Sequence, residues 1–277
     1  DVFSIPIEKI KIETTNTTRV ANTSPSAASS TADLNGKATL MACNALVERL
    51  KLVASEDLNV SEKDITLKDE SVFINNKPSE SSWTELISSA MLKRVALTEN
   101  AHYATPEIHF DKTKEKGHPF AYHVYGTAIT TVTVDCTRGT YEFESVKIVH
   151  DYGKSMSKGI DLGQVEGALI QGIGWMTMEE IAYNDDGKLL SNALSTYKVP
   201  DIFSVPKCVE VIPVETEGND MAILKSKAVG EPPLMYGIGA YFALQNAIKA
   251  FNSNYDLEFH APMTPEKVLM GLYENKK

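Results

Sequence analysis

Lys225-Ser-Lys-Ala-Val-Gly-Glu-Pro-Pro-Leu-Met-Tyr-Gly-Ile-Gly-Ala-Tyr-Phe-Ala-Leu-Gln-Asn-Ala-Ile248 reads as a stiff entry into an apolar helix that carries one acid. Glu231 is the only acidic side chain between Asp220 and Asp256. Gly230 permits a tight or left-handed backbone just before it. Pro232 is expected to push Glu231 out of the α region into extended backbone. Pro233 suits the first turn of the helix, where a missing N–H costs nothing. A carboxylate in a segment that otherwise reads as core is costly to bury, which points to a positioned base or a ligand contact. The competing reading is helix-end electrostatics, because free N–H groups favour a Glu near a helix start whatever else it does.

Working outward, strands are expected around Val209 to Pro213 and Met221 to Leu224. Asp185-Asp-Gly187 is a turn. Asp161-Leu-Gly-Gln164 suits the start of a helix running to about Ile181 and carrying Leu169, Ile173, Trp175 and Met176. That helix holds Gly163, Gly167, Gly172 and Gly174, which local propensity disfavours. Such glycines signal either tight helix packing or the approach of a ligand. Gln164 is the amide best placed for a polar ligand. His150-Asp151-Tyr152 closes a strand and invites a relay, but no nucleophile accompanies it, so a structural role is favoured. Tyr236, Tyr241 and Phe242 sit at helical spacing and read as core.

The chain from Ala121 to Val149 is β-rich, with a hairpin turn at Asp135-Cys-Thr-Arg-Gly139. Residues 98–117 read as irregular. Ser82-Trp-Thr-Glu85 has the form of a capping box opening a helix to about Arg94. Residues 54–80 read as loops and short strands, with a turn at Asn75-Asn76. Asp33 is expected to cap a helix with Leu40, Cys43, Leu46, Val47, Leu50 and Val53 on its apolar stripe. Ile5 to Glu13 suits a short strand, and Thr264-Pro265 opens a last helix. Strands and helices mix without a βαβ repeat, so the expected class is α+β, with mixed sheets packed with helices.

The 277 residues are 43% hydrophobic with net charge −10, enough for a sizeable core and unsuited to nucleic acid or an anionic membrane surface. No charge-free apolar run reaches the roughly 18 residues of a membrane span. Cys43, Cys136 and Cys208 lack CxxC spacing and the six His are scattered. No protein-ligated metal is expected, and a reducing, cytoplasmic setting fits. The chain begins without Met in mid-pattern and is expected to be part of something longer.

Asn22-Thr-Ser-Pro-Ser-Ala-Ala-Ser-Ser-Thr-Ala-Asp33 is a run of small and hydroxyl residues. It reads either as a flexible linker or as a loop whose amides and hydroxyls converge on an anion at a helix start. It contains no nucleotide P-loop pattern.

Three segments, in this order, resemble the molybdenum hydroxylases, and specifically the molybdopterin-binding domain on their xanthine dehydrogenase side. They are Asn22-Thr-Ser-Pro-Ser-Ala-Ala-Ser29 with Asp33-Leu-Asn-Gly36, Asp161-Leu-Gly-Gln-Val-Glu-Gly-Ala168 with Thr196-Tyr-Lys-Val-Pro200, and Ser226-Lys-Ala-Val-Gly-Glu-Pro-Pro233. Ser30 and Ala32 depart from the residues usual in the animal enzymes. The resemblance spans essentially the whole chain. It implies the C-terminal part (1–277, with sub-lobes 1–150 and 151–277) of a molybdopterin-binding domain of the xanthine dehydrogenase/aldehyde oxidase type, its N-terminal remainder lying elsewhere.

The resemblance further implies that Glu231 is the active-site base beside molybdenum. Ala28, Ser29, Ser30, Thr31 and Ala32 would bind the pyranopterin and its tail, with Gln164 and Gly230 also against the cofactor. The metal would be held by the pterin. Iron–sulfur clusters and FAD would lie on other domains or subunits. A purine or other small heterocycle would be hydroxylated with water, and electrons passed to NAD. The complete enzyme would be an oligomer and this piece alone inactive. The alternatives are a relative that oxidises aldehydes or other N-heterocycles, or a non-catalytic cofactor-domain scaffold.

Overall fold

The computed structural model describes residues 1–13, 16–18, 27–256 and 259–274, and these form two compact units, Asp1–Glu107 and Ile108–Lys277.

The first unit opens with a 3-10 turn at Ile7–Lys9. The strand expected over Ile5 to Glu13 does not form. Pro6 caps that turn, and Ile7, Ile10 and Ile12 are exposed, so the alternation has no sheet to bury against. Helix α1 (Thr31–Leu58) begins with Ser30 as N-cap and ends on left-handed Asn59. Asp33 therefore lies inside the first turn, not at the cap, and the helix continues beyond Val53 into the expected loops. Strands β1 (Ile65–Lys68), β2 (Ser71–Ile74) and β3 (Lys77–Ser82) form an antiparallel meander. Asn75 and Asn76 both have positive φ at the β2–β3 turn, as a tight hairpin requires. Helix α2 (Trp83–Leu92) starts on the complete capping box of Ser82 and Glu85. Val47, Leu50 and Val53 of α1 are buried; Leu50 and Val53 pack with Ile65, Val72, Leu86 and Ala90 into one core. Burial of each of these Leu, Ile and Val side chains contributes roughly 1.5–3 kcal/mol.

The second unit begins with a small hairpin, β4 (His109–Asp111) and β5 (Lys116–His118). Strands β6 (Gly126–Val134) and β7 (Tyr141–His150) pair antiparallel around the Asp135–Gly139 turn, where Gly139 has φ +72°. Their register shifts between Thr131 and Val132, which face Ser145 and Phe143. Strand β7 thus carries one extra residue, a β-bulge. Helix α3 (Lys158–Thr177) leads to β8 (Cys208–Pro213), which pairs parallel with β7. This single βαβ crossover joins residues on both sides of position 150. The two compact units meet at 107/108 in the sequence.

Helix α3 starts at Lys158, so Asp161 sits inside the first turn and accepts a hydrogen bond from Ser155 Oγ instead of capping; the helix stops at Thr177, short of Ile181. Leu169, Ile173 and Met176 are buried but Trp175 is 51% exposed. The strand expected at Met221 to Leu224 is a 3-10 turn at Ile223–Lys225, with Leu224 at φ 48°. A 3-10 helix, Pro232–Gly237, runs directly into α4 (Ile238–Phe251). Helix α5 (Pro265–Tyr273) is capped by Thr264. Phe143, Val146, Ile148, Val165, Leu169, Ile173, Leu244, Ile248, Val268 and Leu272 make one core between the sheet and α3, α4 and α5.

Candidate functional site

Glu231 lies in a bend between the buried Ser226 and the 3-10 helix that its own carbonyl opens, accepting from Leu234 N at 3.1 Å. Its backbone is α-like, φ −103° and ψ −41°, and the residue is exposed. Both findings correct the sequence reading. Proline disfavours but does not forbid the α region for its predecessor, and here the Leu234 bond closes the turn. Nor is Glu231 buried: it is exposed. Gly230 is also exposed, and the left-handed glycines of this unit are Gly139, Gly153 and Gly187. Gly230 supplies the bend without a positive φ.

The segment is held on both sides. Upstream, Gly153 (φ +60°) bridges Ser226, Lys227 N donates to Tyr152 O at 2.8 Å, and Lys227 Nζ lies 2.5 Å from Asp151 Oδ2. Asp151 also accepts from Thr216 Oγ1 and from the Gly153 amide. Burial alone would raise its carboxyl, but these hydrogen bonds outweigh burial and hold it below the usual carboxylate range. Downstream, Tyr236 Oη lies 2.6 Å from His150 Nδ1. Burial pushes the Tyr236 phenol up to about 12 and pushes the His150 imidazole down. Tyr236 is thus half-buried and polar-bonded, Tyr241 is core and Phe242 is 48% exposed, so the aromatic trio is only partly the expected core.

Helix α3 meets this segment backbone to backbone. A Cβ on Gly172 would sit 2.3 Å from the Leu234 carbonyl oxygen. Gly159, Gly163 and Gly167 behave differently: a Cβ on any of them would meet nothing within 4 Å. They leave one face of the N-terminal half of α3 bare, and the exposed Gln164 follows Gly163 directly, at the side of that face. Gln164 and Gly230-Glu231 thus belong to one unit.

Ala28, Ser29, Ser30, Thr31 and Ala32 belong to the other unit. Ala28 and Ser29 have positive φ (58° and 51°), and Ser30 Oγ donates back to Ala27 O at 2.9 Å instead of capping α1. The first turn of α1 therefore lacks a side-chain cap from Ser30. Residues 19–26, which include the start of the small-residue run, lie outside the described residues.

The family described as the molybdopterin cofactor-binding domain matches residues 1–206. The chain belongs to that family. It is similar to xanthine dehydrogenase/oxidase of Mus musculus, 37% identical over 273 residues, which cover 96% of this chain and 19% of that protein. Xanthine dehydrogenase 1 of Arabidopsis thaliana is 32% identical over 283 residues, covering 98% and 19%. The chain spans about a fifth of the length of the curated relatives it matches. A crystal structure of the Cu,Mo-CO dehydrogenase shares the fold at TM-score 0.80 and 20% identity, covering 99% of this chain and 34% of that one. Quinoline 2-oxidoreductase from Pseudomonas putida 86 does so at TM-score 0.76 and 22% identity, covering 91% and 31%. The α+β class is thus that of the molybdopterin-binding domain.

The residues present fit a large cofactor of this family. The bare glycine face of α3 admits another group to its backbone, and Gln164 offers an amide beside it. No group of three or more His, Cys, Asp or Glu that could hold a metal occurs among the described residues. No described helix is long and apolar enough to cross a membrane.

Neither His150, Asp151, Lys227 nor Tyr236 was a sequence-predicted site residue. The His-Asp pair at a strand end was the available signal; its partners lie 76 and 86 positions away.

Proposed function

We propose that this chain is the C-terminal part of the molybdopterin-binding domain of a molybdenum hydroxylase that acts on xanthine or hypoxanthine. Identity with xanthine dehydrogenases over nearly the whole chain carries this reading. Gln164, Gly230 and the Ala28–Ala32 loop hold the cofactor, and Glu231 is the base. The bound cofactor supplies the centre that accepts the electron pair removed from the substrate. Glu231 takes up the proton of the water whose oxygen enters the electron-poor ring carbon. An exposed carboxylate on a bend tied at both ends suits that task, because a base must be within hydrogen-bond reach and held there. Iron–sulfur and FAD domains or subunits, transfer to NAD, an oligomeric whole enzyme and a cytoplasmic setting complete the proposal.

The test is Glu231→Ala in the whole protein, with xanthine as substrate. Turnover should fall by several orders of magnitude, roughly 10²–10⁴-fold or more for a lost base, while molybdenum by elemental analysis stays at the wild-type level. Parallel loss of metal and activity would make Glu231 structural. Turnover of quinoline or benzaldehyde but not xanthine would move the chain to the relatives acting on other substrates. A whole protein without molybdenum or pterin would make it a scaffold.

A further inference from the structure

Two adjacent side chains at the end of β7 each grip one foot of the arch that carries Glu231. His150 holds Tyr236, five residues after Glu231, through the 2.6 Å contact between Nδ1 and Oη. Asp151 holds Lys227, four residues before it, through an ion pair whose side chains are only 3% and 10% exposed. Between these feet the arch turns outward, with Gly230 and Glu231 both exposed.

We infer that the His150-Asp151 pair is a positioning device for Glu231, fixing where its carboxylate stands without touching the substrate. The inference rests on the reading of Glu231 as the base.

Three features separate this arrangement from incidental packing. First, the grip is over-determined where it is polar. Asp151 collects Lys227, Thr216 and the Gly153 amide, and its own amide donates to Tyr125 O at 3.0 Å. A buried ion pair of this kind is weak evidence for stability but confers geometric definition, since losing one partner strands the other charge. Second, the backbone is tied in the same place. Lys154 N donates to Lys225 O at 2.9 Å, and Tyr122 Oη accepts from Ala228 N at 3.0 Å. Third, space at the other foot is fully used. A Cβ on Gly126 would fall 1.7 Å from Tyr236 Oη, so the hydroxyl lies against the β6 backbone and has no room to move further toward it. His150 itself is 0% exposed, and its Nε2 has no hydrogen-bond partner among the described residues.

The experiment uses the whole, cofactor-loaded protein with xanthine, comparing Tyr236→Phe, which removes only the hydroxyl, and Lys227→Met, which removes the ammonium. kcat is expressed per bound molybdenum so that unfolded or empty protein does not count. Each variant is expected to lower kcat on the order of 10–100-fold with KM within about twofold, as a base displaced by a fraction of an ångström to 1 Å does. Amide hydrogen exchange over 226–236 should rise in the same variants, while exchange in β6 and the core of β7 stays at the wild-type level. If Lys227→Met does not fold, Tyr236→Phe alone decides. Unchanged exchange over 226–236, or a kcat per molybdenum equal to wild type, would overturn the positioning role. The base reading fails separately, when Glu231→Gln retains full turnover while exchange still rises in the two clamp variants.

Discussion

Gly172 and Gly237 share a contact that no other residue pair could make: a Cβ on Gly237 would lie 2.2 Å from the Gly172 carbonyl carbon. Two backbones, one from α3 and one from the end of the 3-10 helix that follows Glu231, are in van der Waals contact without side chains between them. Gly237→Ala should therefore force the two apart. The expected cost is about 1–3 kcal/mol, typical of overpacking, read as a drop in the denaturant midpoint.

Gly163→Ala is the informative contrast. It lies on the same helix, yet its Cβ would meet open space, so helix propensity should make the variant up to about 1 kcal/mol more stable. If this bare face receives the cofactor, molybdenum content of the whole protein should fall in spite of that gain. Undiminished molybdenum would remove the face from the cofactor site.

The His150–Tyr236 contact joins two neutral groups, and both edges of its pH range follow from burial. His150 has a lowered folded pKa, so its contribution is present above the unfolded value of about 6.5 and is lost as pH falls below it. Tyr236 has a folded pKa raised to about 12; its contribution is full below the unfolded value of about 10 and is lost as pH rises from there. Tyr141, also pushed up to about 12 by burial, acts in the same alkaline window. Denaturation across this range should show stability falling on both sides. His150→Gln should remove the part of the acid limb that begins near pH 6.5, leaving the part at lower pH that carboxylates with lowered values such as Asp151 supply, and Tyr236→Phe should shrink the alkaline limb without abolishing it. Limbs of wild-type steepness in these variants would contradict the assignment.

In the first unit, Ser82→Ala removes the hydroxyl that caps α2 and accepts from Glu85 N. A loss of about 1 kcal/mol is expected, visible as faster amide exchange over 83–92. A Glu85→Gln variant should cost less, because an amide oxygen still accepts from Ser82 N, which now bonds to Glu85 Oε2 at 2.8 Å.

What was legible in the sequence was local chemistry. The Ser82–Glu85 capping box, the Asn75-Asn76 and Asp135–Gly139 turns and the Thr264-Pro265 helix start are all settled within a few residues. What was hidden depended on partners far along the chain. The parallel pairing of β7 with β8 joins residues more than sixty positions apart. The Ile5–Glu13 alternation looked like a strand because alternation does not reveal whether a neighbouring strand exists. The candidate site divides the same way. Glu231 announced itself by composition, whereas His150 and Asp151 gain their meaning only from Tyr236 and Lys227.

The extra residue in β7 has a consequence at the far end of that strand. Before it, Tyr141 and Phe143 turn inward on odd numbers; after it, Val146, Ile148 and His150 turn inward on even ones. Alternation along a strand means that one inserted position exchanges inside for outside from there on. The bulge is therefore a frame setting for the strand's last residues. A hairpin without it would deliver Val149 to the interior and turn the imidazole toward water, so that a single-residue deletion near Glu144 would part His150 from Tyr236, eighty-six positions further on, while leaving the sheet hydrogen-bonded.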